Sequence, residues 1–154
     1  MNKLPPRWFI RSAWRAHRGL LRVTADRVGL STPKPGGKFG MLRLHTTGRR
    51  SGRDRAVVLG YINDGDSLVT LAMNGWDPAH PAWWLNLKSH PNGRVDLVTG
   101  SHPVTAHEAT GPDRERLWQA LLTCTGYGDL PAFAARRGRE TPVVVLTPTV
   151  VARA

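Results

Sequence analysis

MLRLHTTGRRSGRDRAVVLGYI, residues 41–62, decides the fold. Met41 to Thr47 and Ala56 to Ile62 read as buried strands, rich in aliphatic and β-branched side chains. The turn between them, Thr46-Thr47-Gly48-Arg49-Arg50-Ser51-Gly52-Arg53-Asp54-Arg55, carries four arginines and two glycines. Such a turn suits an anion. Gly48 and Gly52 are expected to take positive φ and turn N–H groups toward a bound oxyanion. Arg49, Arg50, Arg53 and Arg55 offer planar forks that match phosphate or carboxylate, and Ser51 offers a phosphate-contacting hydroxyl. A phosphorylated or polycarboxylated small molecule fits this turn; a solvated basic hairpin loop is the structural alternative. The Gly-Lys-Ser/Thr ending of a P-loop is missing.

Downstream, Ser67 to Ala72, Gly93 to Thr99, Pro103 to Ala109 and Thr141 to Thr147 read as further strands. Asn63-Asp64-Gly65-Asp66 is a turn between the second and third strands, and Gly100-Ser101 joins the fourth and fifth. Pro81 to Ser89 reads as a short helix with proline in its first turn, and Pro112 to Leu122 as a longer one. Six strands interrupted by two helices, without βαβ alternation, predict an α+β, mainly β fold: a small antiparallel barrel.

Upstream, Pro6 to about Val28 reads as a helix. Arg7, Arg11, Arg15, Arg18 and Arg22 line one stripe, with Phe9, Ala13, Ala16, Leu20 and Val23 opposite. Residues 7–23 therefore have the makeup of a helix for an anionic membrane surface, although most amphipathic helices are packed ones, which favours the apolar stripe docking on the domain or a second subunit. Ser31 to Gly37, with its prolines and glycines, reads as a linker. The expected organisation is a basic helix and linker over residues 1–38 and a barrel over 39–154.

At 154 residues one core is sufficient. The net charge of +11 draws anions generally, and eighteen of the twenty-two basic residues are arginines. Before Arg55 the only acids are Asp26 and Asp54, so the first third carries that field. One cysteine, Cys124, precludes an intramolecular disulfide, and a packed thiol is expected there. No apolar run is long enough to cross a bilayer and no secretory leader is read, so the expectation is a cytoplasmic protein with peripheral membrane contact at the inner face of the plasma membrane at most.

The six histidines show no tight ligand spacing, which argues against a metal site, and Ser51 does not sit in a Gly-x-Ser-x-Gly elbow. Residues 74–87 hold three of the six tryptophans beside a glycine-proline loop, a composition for a flat aromatic ligand or for core packing. Asn86, on a short apolar helix, needs an amide partner. The arginine turn and the tryptophan loop together suggest a long ligand, anionic at one end and aromatic at the other.

The ordered set Thr46-Thr47-Gly48-Arg49-Arg50-Ser51-Gly52 with Arg55, then His80-Pro81-Ala82-Trp83-Trp84-Leu85-Asn86-Leu87, then Thr141-Pro142-Val143-Val144-Val145, resembles the deazaflavin-dependent nitroreductase family of split β-barrel oxidoreductases. The resemblance runs from about Gly40 to Pro148. It implies a split barrel that binds coenzyme F420 and passes hydride to an organic acceptor such as a quinone, enone or nitroaromatic. It also implies that Arg49, Arg50, Ser51 and Arg55 hold the phosphate and acidic tail. Ala72, Met73 and Asn74 would then lie along the ring, with Ala82, Trp83 and Asn86 completing the pocket. Met73-Asn74 stands where similar members carry Ser-Lys, and Leu130 and Phe133 stand where they carry tyrosines, so the acceptor pocket is more apolar here. Tyr127 keeps a hydroxyl and is the candidate group that hydrogen-bonds the acceptor oxygen. FMN is the rival cofactor because its phosphate also suits the arginines. A nucleic-acid-binding barrel, with arginines on phosphate and tryptophans on bases, is the reading from another class.

Overall fold

The structure is a computed structural model that describes residues 29–74 and 77–149. The basic helix expected over residues 6–28, and Trp76, lie outside the described residues. Six strands, β1 (Gly40–Thr47), β2 (Asp54–Asp64), β3 (Ser67–Leu71), β4 (Asn92–Leu97), β5 (Gly100–Glu108) and β6 (Val143–Pro148), close into a barrel in the order β1-β2-β3-β6-β5-β4. Every pairing is antiparallel. Three short helices fill the connections: α1 (Ala82–Ser89), α2 (Gly111–Leu122) and α3 (Leu130–Arg137).

Alternation fixes the sides of β1. Leu42, Leu44 and Thr46 are buried toward the interior, while Arg43 and His45 stand on the outer face. Strands β3 and β6 are covered on both faces, which is why Val143 to Leu146 is one unbroken apolar run. Val144 and Leu146 join the barrel interior; Val143 and Val145, with Val69 and Leu71, pack outward against Leu117 and Leu121 of α2 and Leu130 of α3. Helix α1 closes one end of the interior with Trp83, Trp84 and Leu87.

The two ends of the barrel are unlike. At one end β2–β3 and β4–β5 turn in two residues each, with Asp64 paired to Ser67 and Leu97 to Gly100. At the other end lie the arginine turn, the segment carrying α1, and the segment carrying α2 and α3.

The expected barrel and all six strands are present, with three adjustments. The β4–β5 turn is Val98–Thr99, not Gly100-Ser101; those two residues already belong to β5. Pro81 occupies the cap position of α1 and the helix begins at Ala82. Helix α3 was not expected, although its signals are in the sequence. The Asp129 carboxylate accepts from the Ala132 amide at 3.1 Å, Pro131 lies in the first turn, and Gly138 ends the helix at φ 67°.

The linker is fastened to the barrel. Ser31 and Met41 exchange backbone hydrogen bonds of 3.1 and 3.0 Å, and Thr125 N–H donates to Gly37 O at 2.9 Å. The Cys124 thiol donates to the same carbonyl at 3.2 Å, and burial pushes its pKa up, so it is the packed thiol expected.

Candidate active site

The arginine turn is held by its own backbone. Gly48 N–H donates to Arg53 O and Gly52 N–H to Gly48 O, both at 2.8 Å, while Arg53 N–H donates to Ser51 Oγ at 3.2 Å. Gly52 takes the expected positive φ, 66°, but Gly48 does not. The requirement at Gly48 is space: a Cβ there would lie 2.6 Å from Ser51 Oγ and 3.2 Å from Arg53 O. The expectation that both glycine N–H groups face an anion is therefore corrected, since both serve the turn. The amides of Arg50 and Ser51 are the ones left without a hydrogen bond among the described residues.

Asn86 ties this turn to the barrel. Its Nδ2 donates to Thr46 Oγ1 at 3.1 Å, and its Oδ1 accepts from the Arg49 backbone amide at 3.1 Å and Arg49 Nη1 at 3.3 Å. Asn86 is 5% exposed, and both its amide oxygen and its amide nitrogen are hydrogen-bonded within the protein. Arg49, Arg50, Arg53 and Arg55 make no ion pair with any carboxylate among the described residues. Four cations in one turn without a counter-charge fit an anionic ligand.

A second wall follows β3. Ala72 N–H donates to Pro142 O at 3.0 Å, and the whole residue is buried in the barrel interior. Met73 is half-buried against the outer apolar cluster, and Asn74 is exposed. Ala82 is exposed at the start of α1, whereas Trp83 belongs to the interior core. Tyr127 packs on the same outer cluster as Met73 and Leu130. Its hydroxyl is buried with no hydrogen-bond partner among the described residues, and burial, with the nearby Cys124 thiol, pushes the phenol pKa well above its ordinary value. The contacts thus gather the named residues into two groups, the turn with Asn86 and the apolar cluster with Met73 and Tyr127.

Two arginines that sequence reasoning missed position the loop between these groups. Arg137, 2% exposed, donates from Nε to Asp77 O at 3.0 Å and from Nη1 to Thr141 Oγ1 at 2.8 Å. Arg139 donates to Pro78 O at 3.1 Å. The basic run at residues 136–139 was the available signal. In this loop His80 is held neutral at neutral pH by burial and by the charges of Arg139, Arg137 and Lys88, against a smaller opposing pull from Glu108.

The closed antiparallel barrel of six strands places the chain in the split-barrel fold class. The chain belongs to the F420H(2)-dependent quinone reductase family, whose model matches residues 15–148. It is 35% identical over 135 residues to the F420H(2)-dependent quinone reductase Rv1261c of Mycobacterium tuberculosis, covering 86% of this chain and 88% of that one. Among solved structures it is similar to the F420-H2 dependent reductase FDR-A, with TM-score 0.61 and 29% identity over 69% of this chain and 92% of that chain. A second, described as a domain-swapped dimer, has TM-score 0.59 and 27% identity over 92% of this chain and 99% of that chain. The family's reaction is hydride transfer from reduced coenzyme F420 to a quinone. This is narrower than the wider resemblance to nitroreductases and agrees with it.

Proposed function

We propose that the arginine turn holds the phosphate and acidic tail of coenzyme F420 through Arg49, Arg50, Ser51 and Arg55. The ring then lies along the segment Ala72, Met73 and Asn74, with buried Ala72 supporting it from beneath and Ala82, Trp83 and Asn86 supporting the far wall. The observation that carries this reading is the absence of any carboxylate partner for the four arginines of the turn among the described residues. Asn86 contributes by holding Arg49 in place, since its own amide is already occupied.

When bound, the coenzyme supplies the hydride. What the chain supplies is position and a dry, apolar surround. Fixing the anionic tail at the turn holds the donor against the acceptor and makes a bimolecular step nearly unimolecular. Tyr127 keeps its proton at neutral pH and offers its unspent hydroxyl to the quinone oxygen as charge develops there. Met73 and Phe133, backed by the buried Leu130, favour an apolar quinone as the acceptor. Residues 7–23, basic on one stripe, would bring the enzyme to an anionic membrane where such quinones reside. Equal partitioning of the full chain and a chain lacking residues 1–30 onto anionic vesicles would overturn that membrane role.

Titration of the protein with oxidised coenzyme F420 and in parallel with FMN, followed by ligand fluorescence, tests the site. Micromolar deazaflavin binding that is lost in the Arg49→Ala/Arg50→Ala double variant is the expected result. Undiminished binding in the double variant would place the tail elsewhere.

A further inference from the structure

We infer that Phe39 is a specificity-determining residue that sets which quinones reach the Tyr127 hydroxyl, an inference resting on the acceptor role given to Tyr127 above. Phe39 lies on the last residues before β1, outside every motif of the family resemblance. Its ring stacks on Tyr127 with centroids 4.4 Å apart and planes at 28°. It also presses on two glycines from different elements. A Cβ at Gly60 of β2 would meet the Phe39 ring at 2.7 and 2.9 Å, and one at Gly126 would meet it at 2.7 and 3.1 Å. The ring is therefore packed between two bare backbones and one phenol, and a side chain at Gly60 or Gly126 would displace it.

The Tyr127 hydroxyl lies close by, 3.2 Å from the position a Gly60 Cβ would occupy, buried and without a partner among the described residues. A buried donor left unpaired is costly, and an acceptor oxygen arriving there relieves the cost. The Phe39 ring is an apolar cover beside that donor, stacked on the Tyr127 ring and with its edge carbons nearest Gly60. A quinone oxygen that comes to Tyr127 has to pass Phe39, so the bulk of its ring substituents decides the approach.

Phe39 is also held from behind, so it acts as a wall of fixed position. Gly37 O, two residues earlier, accepts from Thr125 N–H and from the Cys124 thiol, and Met41, two residues later, is paired with Ser31. The segment before β1 is thus fastened to the segment carrying Tyr127 at Gly37, and to the linker at Met41.

The test compares a small benzoquinone with a 2-alkylated naphthoquinone on the full chain supplied with reduced coenzyme F420. Phe39→Ala and the milder Phe39→Leu should raise the ratio of kcat/KM for the bulky over the small quinone at least tenfold, with coenzyme affinity unchanged. In coenzyme-free protein, calorimetric titration should show the bulky quinone binding more tightly to Phe39→Ala than to the wild type. Equal changes for both quinones, or none, in a folded Phe39→Leu variant would overturn the inference and leave Phe39 a packing residue. Tyr127→Phe separates the two readings. If it leaves both quinones unaffected while Phe39 variants shift the ratio, the Tyr127 role fails and Phe39 stands as a wall of the acceptor site. If it slows both while Phe39 variants leave the ratio unmoved, the Phe39 inference alone fails.

Discussion

Asn86 fastens Arg49 to the barrel: one carboxamide oxygen accepts both the Arg49 backbone amide and its guanidinium, while the amide nitrogen reaches back to Thr46 in β1. Helix α1 and the arginine turn are consequently one mechanical unit. Asn86→Ala should cost about 1–3 kcal/mol in denaturant unfolding, because buried partners lose their bonds. It should also weaken coenzyme F420 binding at least tenfold in a fluorescence titration. Full affinity in a destabilised variant would show that the turn keeps its shape alone.

Gly48 and Gly52 serve the turn for different reasons, and alanine separates them. Gly48→Ala drives a Cβ into Ser51 Oγ and the Arg53 carbonyl, and should cost about 1–3 kcal/mol as overpacking does. Gly52→Ala meets open space but must hold φ near 66°, a conformational cost of about 1–2 kcal/mol. Because Ser51 is displaced only in the first variant, coenzyme affinity should fall more for Gly48→Ala. Equal affinity in the two would exclude Ser51 from the binding surface.

A polar network on the outer face of the barrel sets an acid limit on stability. Burial alone would raise the Asp96 carboxyl, but hydrogen bonds from Ser101 and His45, at 2.7 Å from His45 Nε2, together with the charges of His45 and Arg94, outweigh it and hold the group below the ordinary carboxylate value. A depressed folded value means that this contribution is fully present above the unfolded pKa of about 3.9 and lost as pH falls through the folded value. Asp96→Asn should therefore lower the urea midpoint at neutral pH and flatten its decline below about pH 4. An unchanged acid limb would show that other carboxylates dominate it.

Arg137 holds two elements with one fork, so charge alone should not replace it. Arg137→Lys is expected to lose about 2 kcal/mol, since lysine cannot reach Asp77 O and Thr141 Oγ1 together. Hydrogen exchange should rise at the amides of Asp77, Ala79, His80 and Thr141 ahead of the barrel strands. Uniform exchange across the chain would assign the loop's order to other contacts.

The barrel was legible because period-two alternation and glycine-rich turns are local signals, as in β1 and in the Asn63 to Asp66 turn. The β4–β5 turn was misplaced because Val98-Thr99 carries no turn residue, while Gly100, which looks like one, opens the next strand. Helix α3 was legible through Asp129, Pro131 and Gly138, but its eight residues are too few for periodicity to announce. The anion-seeking turn was visible as charge, whereas the spending of its glycine amides was not, since that depends on backbone closure. Asn86 was marked as needing a partner; that the partners are Thr46 and Arg49 is a fact of tertiary contact, 40 and 37 residues away in sequence. The Phe39 and Tyr127 stack joins residues far apart in the chain, and no local pattern reports it.

The unlike ends of the barrel have a consequence for how the chain can be altered. Two-residue turns at one end and long connections at the other divide labour along the barrel axis: the strands and tight turns carry folding, the long connections carry chemistry. New termini opened at Gly65–Asp66 or Val98–Thr99 would sit far from the arginine turn. Splitting or joining the chain there leaves the arginine turn and its tie to Asn86 in place.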